Sequence, residues 1–103
     1  MSYDKRAKAR VGYLCEVECS GVSVGVALNS RISDLSVTGA FIDSMVTLPE
    51  GTMVRLKFSL PTVDVNCMGV VMHEMPQFGM GVRFLELTPE QLAALAALVT
   101  AGG

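Results

Sequence analysis

The chain is 103 residues long, with half its residues hydrophobic and 17% charged. That length suits one domain and is too short for two, and the composition excludes a disordered chain, which needs low hydrophobicity and high charge. The net charge of −2 conceals a basic start, where Lys5, Arg6, Lys8 and Arg10 face only Asp4 and the rest of the chain is acidic; this argues against a protein that reads long DNA or RNA, which needs a broad basic face.

Residues 1–10 lack apolar periodicity and read as a basic arm. Their charge suits a small anion better than a polymer, the plainer alternative being a solubilising tail. From Val11 the period becomes two: Val11, Tyr13, Cys15, Val17 and Cys19 alternate with Gly12, Leu14, Glu16, Glu18 and Ser20. This predicts a strand with one buried face. After a turn at Ser20-Gly21, a second strand is expected over Ser23–Ser33, apolar at Val24, Val26, Leu28 and Ile32. Ser33–Gly39 is a cluster of turn residues, Ala40–Asp43 restarts a strand, and Leu48-Pro49-Glu50-Gly51 is a turn. Val54, Leu56, Phe58 and Leu60 alternate with Arg55, Lys57 and Ser59 until Pro61 ends the strand, because proline cannot donate to a ladder. Val63–Met75 reads as a strand with a bulge or bend expected at Gly69. Pro76 and Gln77 make a turn, and Gly79–Leu87 forms the last strand.

At Thr88 the period switches. Thr88-Pro89-Glu90-Gln91 has the form of a capping box with proline at the first helical position. Leu92, Leu95, Leu98 and Val99 follow at helical spacing among alanines, which predicts a helix over 88–100. The expected organisation is a single domain over 1–103: a basic arm at 1–10, a β-structure at 11–87 and the C-terminal helix at 88–100. Alternating strands with one apolar face need closure as a barrel or a sandwich, with the helix covering an open end.

Cys15, Cys19 and Cys67 match no zinc spacing, and the single His73 has no second histidine nearby. Cys15 and Cys19 share a strand face but lie roughly 13 Å apart along it, so they read as core thiols in a reducing compartment. His73 reads as a structural strand residue. There is no secretory signal pattern and no apolar run approaching the roughly 20 residues needed to span a bilayer, so a cytoplasmic protein is expected. With no nucleophile–base pair and no metal pattern visible, an enzyme is not expected, and neither is a resident cofactor or metal.

Two short constellations are able to carry chemistry. Arg6-Ala7-Lys8-Ala9-Arg10 is an RxxxR in which two guanidiniums straddle a short segment. The planar fork of arginine matches phosphate oxygens and the guanine O6/N7 edge, and its flat face stacks on a base. Alone, the pattern is equally a solvated arm. Asp34-Leu35-Ser36-Val37-Thr38-Gly39 is a DxSxxG between two strands. Asp34 is suited to orient an arginine or accept from a guanine edge, Ser36 to donate to a phosphate, and Gly39 to let the backbone approach or turn. Alone, it is equally an ordinary Asx or Ser turn.

An RxxxR before the first strand followed by a DxSxxG after the second resembles the PilZ domain family. Gly39-Ala40-Phe41, Leu48-Pro49-Glu50-Gly51-Thr52, Leu56-Lys57-Phe58-Ser59-Leu60-Pro61, Gly69-Val70-Val71 and Gly79-Met80-Gly81-Val82-Arg83-Phe84 extend the likeness over residues 5 to about 98. The resemblance implies an all-β fold, a six-stranded antiparallel β-barrel with a C-terminal helix, and binding of cyclic di-GMP, a bacterial second messenger with two guanines and two phosphates. At the matching positions, Arg6 and Arg10 would grip guanine edges and phosphates and stack on the bases. Asp34 and Ser36 would bind from the barrel surface, Gly39 would keep that surface open, and Lys5 would assist with phosphate. A mobile arm closing on a rigid barrel face is the expected switch, with the output passing through an effector protein or the oligomeric state, a homodimer included. The competing expectation is a PilZ-like interaction module with weak or lost nucleotide binding. A single-strand-binding barrel fits less well, because it needs aromatic platforms along a basic groove and the chain has no tryptophan and six aromatics in all.

Overall fold

The computed structural model describes residues 10–22 and 27–102. Six strands follow in chain order: β1 (Val11–Gly21), β2 (Ala27–Leu35), β3 (Gly39–Asp43), β4 (Met53–Ser59), β5 (Asp64–Met75) and β6 (Gly79–Phe84). One helix, α1 (Pro89–Gly102), follows them. The strands close into an antiparallel barrel in the order β1-β2-β3-β6-β5-β4. Closure decides between the barrel and the sandwich that alternation alone allowed, in favour of the six-stranded barrel that the resemblance implied. Of the second expected strand, residues 23–26 lie outside the described residues, and β2 runs on to Leu35.

The period-two pattern becomes the barrel wall. Along β4, Val54, Leu56 and Phe58 point inward and Arg55, Lys57 and Ser59 outward. Cys19 on β1 stands opposite Leu56, which stands opposite Cys67 on β5. These side chains belong to one core with Ile32, Ile42, Val71 and Met80. Across that core the rings of Phe58 and Phe84 stack with centroids 6.0 Å apart, within the range of a favourable aromatic pair.

Ile32 and Leu35 are both fully buried although three residues apart, a spacing that a regular strand would send to opposite faces. An irregularity against β3, between Ile32 and Asp34, resolves the conflict. It turns both apolar side chains inward and leaves Asp34 on the outside. Gly69, where a bulge was expected, is instead in regular register between Val54 and Phe84. A Cβ there would lie 2.7 Å from the Val82 side chain, so the glycine serves close packing. The bulge of β5 lies between Val71 and His73. The turn into β6 is made by Gln77 in the left-handed region at φ 71°.

The helix starts as its sequence predicts. Gln91 donates its backbone N–H to Thr88 Oγ1, and Thr88 donates its own to Gln91 Oε1, both at 3.1 Å. Leu95 and Val99 join the barrel core, and the helix packs on β1. Leu92, expected on the same apolar stripe, is exposed, because the contact begins one turn further along. Among the described residues no helix is long and apolar enough to cross a membrane.

Candidate functional site

The ladder between β1 and β2 places Val11 opposite Leu35 and Gly12 opposite Asp34. Arg10, one residue before β1, thereby arrives beside the turn that joins β2 to β3. Its Nε–H donates to Asp34 Oδ1 at 2.9 Å, and Nη2 reaches the same oxygen to complete an ion pair. Nη1 donates to Ser36 Oγ at 3.4 Å. Arg10 of one motif and Asp34 of the other, 24 residues apart in sequence, thus meet in space. The side chains of Arg10 and Asp34 are 44% and 37% exposed. An ion pair that open to water adds little stability; its effect is to hold the guanidinium plane in one orientation. Asp34 Oδ2 makes no hydrogen bond among the described residues.

Ser36 behaves differently from the surface donor expected of it. It is fully buried. Its hydroxyl accepts from the backbone N–H of Thr38 and of Gly39, each at 3.2 Å, and lies within reach of the Gly39 carbonyl and Thr38 Oγ1. The Ser36 N–H also donates to the Gly39 carbonyl at 2.9 Å. Ser36 is therefore the internal brace of a tight turn. Gly39 is buried too: a Cβ would sit 2.3 Å from the Val82 carbonyl oxygen. Its absent side chain admits the backbone of β6, rather than keeping an outer surface open.

The sequence reading passed over Thr38 and Arg83. The Thr38 carbonyl accepts from the Phe84 N–H at 2.8 Å and ties the turn to β6. Arg83, exposed, stands opposite Gly39 in the β3–β6 ladder, adding positive charge beside the turn. The threonine lies inside the DxSxxG segment, but nothing in the sequence pairs Arg83 with Gly39. Arg6 and Lys5 lie outside the described residues.

The thiols sit apart from this site. Burial pushes the Cys19 and Cys67 thiols up to about 11 and raises that of the half-buried Cys15, so all three are held as inert neutral thiols at neutral pH. His73 is exposed, 3.8 Å from Glu50. No group of three or more His, Cys, Asp or Glu residues able to hold a metal occurs among the described residues. A groove of about 1260 Å³ on the barrel is lined by Glu16, Glu18, Arg31, Lys57 and Asp64 among others. Its interleaved charges make it an ordinary solvated face.

Fold and site together define a small antiparallel barrel with a helical C-terminus, bearing an arginine–carboxylate pair on a braced strand turn. The PilZ domain family matches residues 4–101, and the chain belongs to that family. No curated protein matches the sequence. Among solved structures, the PilZ domain with c-di-GMP of YcgR from Escherichia coli is similar with a TM-score of 0.72 at 13% identity, over 95% of this chain and 91% of that one. The PilZ domain of CeSA from a cellulose-synthesizing bacterium gives 0.67 at 17% identity, over 88% and 94% of the two chains. The Bacillus subtilis inhibitor of motility MotI/DgrA gives 0.77 at 15% identity, over 92% of this chain and 49% of that one. The chain therefore spans about half the length of the motility inhibitor.

Proposed function

We propose that this domain is a cyclic di-GMP receptor that passes the signal to a partner protein and catalyses no reaction itself. The observation that carries the reading is the junction of Arg10 with Asp34 and Ser36. The guanidinium is pre-oriented, which lowers the ordering cost of binding, and a planar cation so held offers its face to a guanine and donors to a phosphate. Asp34 accepts from a guanine amide and amine edge through its remaining oxygen. Ser36 and Gly39 act by setting the turn that holds Asp34. Arg6 and Lys5, from the basic segment before β1, add charge against the two phosphates. The E. coli relative carries c-di-GMP in its structure, which supports the same ligand class here.

Calorimetric titration of the whole chain with cyclic di-GMP tests the reading. Binding is expected, with at least a tenfold loss in Arg10→Ala, since charge-assisted arginine contacts are among the stronger hydrogen bonds. Affinity should also fall as salt is raised, because exposed charges are screened. Absence of binding by the natural chain, or full affinity in the variant, would overturn it.

A further inference from the structure

At the end of β3 away from Arg10 and Asp34, four large apolar side chains stand in water. Met45 and Val46, on the loop after β3, are 78% and 58% exposed; Met75 and Phe78, at the β5–β6 turn, are 42% and 71% exposed. The two segments are fastened together. Ser44 donates its N–H to the Phe78 carbonyl at 3.1 Å, and Phe78 donates its own to the Met75 carbonyl at 2.9 Å. Ser44 Oγ holds the Val46 carbonyl, and Thr47 Oγ1 holds Glu74 Oε2, each at 2.6 Å. The patch is therefore preformed. Exposed apolar clusters of this kind mark interaction sites, and methionine adapts its shape to a partner.

The surrounding charge is net acidic, with Arg31 opposite Asp43 on the neighbouring strand as a cation at its margin. Residues 43–53 and 72–81 contain Asp43, Glu50 and Glu74 and no lysine or arginine. A second copy of the chain docking patch to patch would bring these carboxylates against each other, which costs affinity. Closure of the barrel pairs each strand on both sides over part of its length, and beside the patch Glu50 Oε2 takes the Glu74 N–H at 3.5 Å and covers the end of β5, so an occupant engages side chains. From the apolar centre, the acidic rim and the covered strand end, we infer that this end of the barrel docks a basic amphipathic helix of a partner protein. Asp34 stands opposite Phe41, four residues before Met45, a span of about 13 Å at the rise of a strand per residue. The inference stands independently of which ligand Arg10 and Asp34 hold.

The probe is a fluorescent fifteen-residue amphipathic peptide of leucine, alanine and lysine, compared with a twin carrying glutamate for lysine. Anisotropy should show the full chain binding the lysine peptide at least tenfold more tightly than its twin. The double substitution Met45→Ser/Phe78→Ser should weaken that binding at least tenfold, and Glu50→Lys should weaken it several-fold. Glu86→Lys, past the end of β6 far from the patch, should leave it unchanged. All these side chains are exposed, and an unaltered thermal midpoint will show that each variant is folded. No binding of the lysine peptide, equal binding by the patch variant, or equal binding of the twin would overturn the inference. A homodimer in sedimentation that Phe78→Ser dissolves would also overturn it, by assigning the patch to self-association.

Discussion

Gly39 and Ser36 show how residues inside the DxSxxG segment act through the backbone. Ser36 spends its hydroxyl on the N–H groups of Thr38 and Gly39, and Gly39 admits the Val82 carbonyl. Replacing Gly39 by alanine drives a methyl group into backbone that cannot swing aside. We expect Gly39→Ala to cost about 1–3 kcal/mol, the usual range for overpacking. Gly12→Ala is the control: nothing lies within 4 Å of its Cβ position, so its stability should be unchanged or slightly raised. Urea denaturation of the two variants will separate them. Equal midpoints would show that β3 and β6 part easily at Gly39.

At the scale of elements, the irregularity of β2 and the capping of α1 are the decisive local events. The first lets Ile32 and Leu35 share the core and leaves Asp34 outside to meet Arg10. The second satisfies two backbone donors that a helix start leaves open. Thr88→Ala removes the acceptor for the Gln91 N–H and should destabilise the protein by about 1 kcal/mol, a typical value for losing an N-cap. Denaturation followed by far-UV circular dichroism measures it. Because Leu95 and Val99 anchor the helix in the barrel core, loss of the cap should lower the whole transition. An early, separate loss of helix would show that α1 is only loosely attached.

For the whole molecule, the barrel interior holds two thiols that titrate far from their ordinary range. Burial raises Cys19 and Cys67 from 9.0 to about 11. The folded state therefore keeps a proton that the unfolded chain releases first. That contribution to stability is fully present below about pH 9 and is lost as pH rises towards 11. Denaturation midpoints should fall across that window in the natural protein and fall less when both cysteines are replaced by alanine. Identical pH profiles would show the thiols to be uncoupled from folding. Closure of the barrel has a second consequence at this scale. It sets the Arg10–Asp34 turn and the Met45–Phe78 patch as separate features of one rigid wall.

Much of this was legible in the order of residues alone. Alternation marked β1, β4 and β5, Thr88 and Gln91 announced the helix cap, and Arg10 with Asp34 stood out as a cation and a carboxylate at suggestive points. These readings succeed because strand alternation and capping depend on neighbours a few residues apart. The tertiary structure decided the rest. It closed the six-stranded barrel that the family resemblance implied and that alternation alone left open, moved the expected bulge from Gly69 to Val71–His73, left Leu92 in water and turned Ser36 inward. It also joined Met45 to Phe78 and set Arg83 beside Gly39. Each of these depends on which strand lies next to which, and that is settled only when the sheet closes and side chains distant in sequence compete for one interior.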